Sequence, residues 1–122
     1  LEEDKPSTIK DIQLNAAKQF MLVHVSDSNV SPSVIAKEMG ISIRYLHWLF
    51  KHSDETVIQY LTRKRIELAQ LLLTTSSKSL YSVTDVAFMC GFNDSTHFSR
   101  RFKQQVGTSP SFYRTKNFSG KS

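Results

Sequence analysis

Apolar residues recur along this chain at steps of three and four, the spacing of helices that bury one face. Ile9, Ile12, Ala16, Phe20 and Val23 predict a first helix over about residues 9–25, with that stripe as its packing face. The polar run Ser26-Asp27-Ser28-Asn29 ends it, and Ser31-Pro32 starts a second helix to about Met39. Serine caps free amides there, and proline is tolerated at the first helical position. Gly40 can take a positive φ, Ser42 can cap a third helix, and Leu46, Leu49 and Phe50 should face inward from it. Arg44, His47, Trp48 and Lys51 are then left outside or at the margin.

Val57, Tyr60, Leu61, Leu68, Leu71 and Leu72 hold helical spacing from about Thr56 to Leu73, with the basic triplet Arg63-Lys64-Arg65 embedded. The triplet reads equally well as a solvated face or as phosphate contacts. Thr74 to Tyr81 is a loop, and Ser82-Val83-Thr84-Asp85 has capping-box form for a helix ending at Gly91. Asp94 or Asn93 can cap the next helix, which runs to about Gln105 with Phe98 and Phe102 in the core. Gly107 stops it, and Ser109-Pro110 opens a short last helix through Phe112, Tyr113 and Arg114.

The chain also aligns on itself. Ser31, Ile35, Ala36, Gly40 and Ile41 match Ser82, Val86, Ala87, Gly91 and Phe92 at an offset of 51. After the glycine the offset is 52, pairing Leu46, Phe50 and Lys51 with Phe98, Phe102 and Lys103, and Val57 and Tyr60 match Pro110 and Tyr113 at 53. A cap, a small alanine for close helix crossing, a turn glycine and inward hydrophobics make up the repeat. Each half is a pair of helices joined by a tight turn, the second with a polar and basic outer face. That is the pattern of a helix-turn-helix whose recognition helix enters the DNA major groove.

Charge sharpens this picture. The net charge of +5 is uneven: residues 28–122 carry thirteen basic against six acidic groups, a net of +7 behind an acidic leader. A basic body suits an anionic polymer, although a solvated basic face has the same composition. No apolar run is long enough to span a bilayer and no signal-peptide pattern is present, so a cytoplasmic protein with no membrane partner is expected. Cys90, the single cysteine, has no disulfide or zinc-ligand partner and reads as a small buried hydrophobe beside the turn glycine. No metal or cofactor is expected. His24, His47, His52 and His97 form no nucleophile–base–carboxylate grouping, which argues against an enzyme. His24 reads as a core-edge or solvent residue.

On Val83-Thr84-Asp85-Val86-Ala87, Gly91-Phe92, Phe98-Ser99-Arg100-Arg101-Phe102-Lys103 and Gly107-Thr108-Ser109-Pro110-Ser111-Phe112-Tyr113-Arg114, the chain resembles the DNA-binding domain of the AraC/XylS family of bacterial transcription regulators. The resemblance spans nearly all of residues 9–115. It implies an all-α fold of about seven helices forming two helix-turn-helix subdomains joined by a long central helix. The expected layout is a linker at 1–8, a first helix-turn-helix subdomain at 9–55, a connecting helix at 56–74, a second subdomain at 75–116 and a tail at 117–122. Both recognition helices are expected in adjacent major-groove segments on one DNA face.

By position, the resemblance implies base contacts from Arg44, His47, Trp48, Ser95, Thr96 and Arg100. Lys51, Arg63, His97, Arg101 and Lys103 are candidates for phosphate contact, with solvent exposure an equal reading for His97. Arginine can bind guanine O6 and N7 through two hydrogen bonds, whereas phosphate contacts position without reading sequence. The chain departs from the family pattern at Trp48, often a basic residue, at Asp54, often glycine, and in a long 74–81 connector. The implied function is sequence-specific double-stranded DNA binding in transcriptional control, most often activation, with RNA polymerase as partner. An upstream effector-binding or dimerisation domain is also expected. The alternatives are an RNA or general nucleic-acid binder, disfavoured because Phe50, Phe98 and Phe102 fall on core positions rather than forming an exposed stacking surface, and a protein-interaction module docking an acidic partner or RNA polymerase without reading bases.

Overall fold

The computed structural model describes residues 8–75 and 81–118, with Phe118 defined by its backbone only. Most of the expected 1–8 linker, the centre of the expected 74–81 loop and the tail from 119 lie outside the described residues. The described residues form seven α-helices and no strand: α1 Ile9–Val23, α2 Pro32–Met39, α3 Ile43–Lys51, α4 Val57–Thr75, α5 Val83–Met89, α6 Ser95–Val106 and α7 Pro110–Phe118. The all-α, seven-helix expectation holds. Two compact units divide the chain, the first from residues 8–24 and 30–60, the second from 25–29, 61–75 and 81–118.

In the first unit, α1, α2 and α3 pack together around Ala17, Met21, Ile35, Ala36, Leu46, Leu49 and Phe50, with Val57 and Tyr60 from the start of α4 also buried. The Ser31 hydroxyl accepts the Val34 amide at 3.3 Å and that of Ser42 accepts the Tyr45 amide at 2.9 Å, so both predicted serine caps form. α1 differs from expectation. Thr8 and Asp11 make a full capping box at its start, and its buried residues are Ala17 and Met21. Ile9, Ile12, Ala16 and Val23 instead face solvent. The packing stripe sits about one residue round from the expected one because polar residues occupy part of it. Gln13 accepts the Tyr45 hydroxyl at 2.6 Å, and the Lys18 ammonium lies 5.1 Å from the Tyr60 ring centre. Long polar side chains can line a core when their heads find such partners.

In the second unit, Ile66, Ala69 and Leu73 of α4 meet Val86, Ala87, Cys90, Phe92, Phe98 and Phe102 in one cluster. Phe98 lies edge-on to Phe92 at 5.2 Å, and Phe102 edge-on to Tyr113 at 5.5 Å. Leu71, expected inward, is 62% exposed, because the inward stripe of α4 runs through Ile66, Ala69 and Leu73. Ser82 and Asp85 make the predicted capping box on α5. Arg65 of the basic triplet turns inward: Nε donates to the Val25 carbonyl at 2.9 Å and its terminal nitrogen to the Asp27 carbonyl at 2.7 Å. Burial lowers its pKa, opposed by the Asp27 carboxylate.

The internal repeat survives as geometry. Ile41 N–H reaches the Ala36 carbonyl and Phe92 N–H the Ala87 carbonyl, both at 3.0 Å, while Gly40 and Gly91 take φ of 70° and 91°. A Cβ at Gly40 would meet nothing within 4 Å, but one at Gly91 would lie 2.7 Å from Arg65 Nε. Gly40→Ala should therefore cost about 1–2 kcal/mol, the penalty of the left-handed region alone, and Gly91→Ala about 2–4 kcal/mol because the guanidinium is also displaced. Chemical denaturation of the two variants would check the order. Burial pushes the Cys90 thiol up from 9.0 to about 12, opposed by the nearby Arg65 charge. The folded state then holds that proton more tightly than the unfolded one, so its contribution is complete below pH 9 and lost as pH rises from 9 towards 12. Urea titrations across that range should show a smaller decline in Cys90→Ala than in the parent.

Candidate nucleic-acid interface

Each helix-turn-helix sets its outer face by what its second helix buries. On α3, Leu46, Leu49 and Phe50 point into the core. The remaining positions Arg44, His47, Trp48 and Lys51 stand one helical turn apart on a single exposed stripe. They border a surface cavity of about 540 Å³ together with Asp54, Glu55, Thr56 and Gln59. The Ser53 hydroxyl closes the turn behind it with bonds to the Phe50 and Glu55 carbonyls, both 2.8 Å.

On α6 the buried residues are Phe98 and Phe102. Thr96, His97, Arg100, Arg101 and Lys103 are exposed, with Ser95 half-buried at the helix start. Asp94, the residue that caps α6, accepts the Thr96 amide at 2.7 Å and the His97 amide at 3.4 Å. The His97 ring rests edge-on to Phe92 at 5.6 Å. Arg101 bonds Gln104 at 3.1 Å along its own helix.

All six residues expected at bases thus lie on α3 and α6, three on each. Five of the six are exposed, and Ser95 is half-buried. Of the five phosphate candidates, Lys51, His97, Arg101 and Lys103 lie on or beside those same faces. Arg63 lies on α4 instead, paired with Glu67 at 2.9 Å in a bridge that Lys64 shares at 3.2 Å. Such half-exposed pairs are worth about 0–1 kcal/mol and yield readily to a phosphate. Among the described residues no group of His, Cys, Asp or Glu could hold a metal ion, and no helix is long and apolar enough to cross a membrane.

The sequence reading missed α1 as part of this face. Lys10 places its ammonium 5.4 Å from the Trp48 ring centre, and Gln13 fixes Tyr45, which stacks on Trp48 at 5.4 Å. No local signal links residues this far apart along the chain.

Comparison with known proteins places these features in a family. Residues 35–116 match the model of a family described as a helix-turn-helix domain. The chain is 36% identical over 101 residues to the transcriptional activator NphR of Rhodococcus, covering 83% of this chain and 29% of that protein. It is 35% identical over 105 residues to the transcriptional activator RhaS of Salmonella schwarzengrund, covering 85% of this chain and 36% of RhaS. The chain thus spans about a third of the length of the curated relatives it matches. The crystal structure of the DNA-binding domain of AdpA, solved in complex with a target DNA, superposes with a TM-score of 0.78 at 27% identity, covering 89% of this chain and 96% of that one.

Removing the α6 cap tests how the second recognition helix is held. Asp94→Ala should cost about 1 kcal/mol by leaving the Thr96 and His97 amides unpaired, measured as a shift in the thermal unfolding midpoint.

Proposed function

Because this chain belongs to the AraC/XylS family of helix-turn-helix domains, we propose that it reads double-stranded DNA by sequence and thereby regulates transcription. The family is one of DNA-binding regulators, not of enzymes. The observation that carries the reading is the pair of outward stripes, Arg44, His47, Trp48 and Lys51 on α3 and Ser95, Thr96, Arg100 and Lys103 on α6. Each is backed by a fully apolar buried face. A polar and cationic ridge on a helix of this diameter fits a major groove about 12 Å wide, where each base pair shows a distinct set of donors and acceptors.

Within that reading Arg100 takes guanine O6 and N7 as a bidentate donor. Ser95 and Thr96, at the α6 N-terminus, meet other base edges. Arg44, His47 and Trp48 do the equivalent work for α3. Lys51, Arg63, His97, Arg101 and Lys103 bind phosphates and set the register. The proposed setting is the cytoplasm, the proposed outcome is activation, as the names of NphR and RhaS suggest, and the proposed protein partner is RNA polymerase. An effector-binding or dimerisation domain linked to this one would be the source of regulation.

Selection of bound duplexes from a random pool, followed by titration at fixed salt, tests the reading: a preferred site should emerge, and log affinity should fall steeply with log salt. On that site Arg100→Ala should cost about 1–3 kcal/mol and relax preference at one base pair, while Lys103→Ala should weaken all duplexes alike and flatten the salt slope by about one. Unchanged discrimination in Arg100→Ala would remove its base-reading role.

A further inference from the structure

We infer that Trp48 is a specificity-determining residue that reads the C5-methyl group of a thymine. The inference rests on the DNA-binding reading and adds to it what this position recognises. Trp48 is 43% exposed on the outward stripe of α3, beside His47 and one turn from Arg44 and Lys51. Its indole is nevertheless fixed. Tyr45 stacks on it at 5.4 Å with 19° between the rings, and the Tyr45 hydroxyl is itself anchored to Gln13 at 2.6 Å. His52 meets it edge-on at 5.4 Å, and the Lys10 ammonium lies 5.4 Å from its centre.

A ring held by three neighbours has less rotamer freedom left to lose when a ligand arrives, so ordering it on binding costs less. It presents a rigid apolar surface and one N–H, with no acceptor. The residues around it on the stripe are two cations and an imidazole, all suited to phosphates or polar base edges. Along the floor of the major groove most base-pair features are hydrogen-bond donors or acceptors. The thymine methyl is the one projecting apolar group, and it is the feature an indole surface matches.

The test uses a duplex recovered from the random pool. Replacing its thymines one at a time by deoxyuridine removes only the methyl. At one position the replacement should weaken wild-type binding about fourfold, the transfer value of one methyl group, and in Trp48→Ala the same replacement should change nothing. Trp48 is also the chain's single tryptophan, so its emission reports on the contact without any substitution. Saturation with the target duplex should quench or shift it, and the deoxyuridine duplex should do so less. The inference is overturned if no thymine is sensitive in the wild type, if sensitivity persists in Trp48→Ala, or if emission is unchanged at saturation. Failure to recover any preferred duplex is a different result: it removes the DNA-binding reading itself.

Discussion

The display of each helix pair depends on one backbone arrangement, a left-handed glycine followed by an amide bonded to the carbonyl five residues back. At Gly40 and Gly91 this turn brings the second helix across the first, close against the small side chains Ala36 and Ala87. Once that crossing is set, the second helix has no rotational choice. Turning it would pull Phe50 in one unit, or Phe98 and Phe102 in the other, out of the core, at a cost of several kcal/mol for each large aromatic. The outward stripe is thus the complement of the buried one. A polar face on α3 or α6 is aimed by residues that never touch a ligand.

The repeat explains why so much of this was legible. Caps, glycines and inward aromatics act over a few residues, so Ser31, Ser42, Ser82 and Asp94 reveal their helices by local chemistry alone. The outward placement of Arg44, His47, Trp48 and Lys51 followed from the same logic. Where the reading slipped, the deciding partner was distant. On α1 the exposed Ile9 and Ile12 looked like a core stripe, and the true one is masked by Gln13 and Lys18, whose partners come from α3 and the start of α4. On α4, Leu71 and Leu72 sit beside Leu73 in the chain, and periodicity cannot say which of three adjacent leucines points inward. Arg65 was unreadable for a similar reason, since its acceptors are carbonyls 40 and 38 positions away.

The same bonds redistribute the charge. The basic triplet on α4 is not a uniform cationic face: Arg65 is spent inside the second unit, while Arg63 and Lys64 share Glu67. The cations on α3 and α6 carry a larger share of the positive surface than composition implies. The side chains of Arg44, Lys51, Arg100 and Lys103 make no hydrogen bond or ion pair among the described residues, so a polyanion would meet them without first displacing a partner there.

Arg65 also has a consequence for how this sequence can vary. Both of its acceptors are main-chain oxygens, so the bonds place no demand on the side chains at Val25, Ser26 or Asp27. They do demand that two carbonyls stand two residues apart at a fixed place over the turn. These bonds therefore make the connector between α1 and α2 strict in length and leave its composition to other contacts, such as the buried Val30 and the Ser31 cap: a single insertion or deletion between Val25 and Asp27 would carry one carbonyl out of reach of the guanidinium.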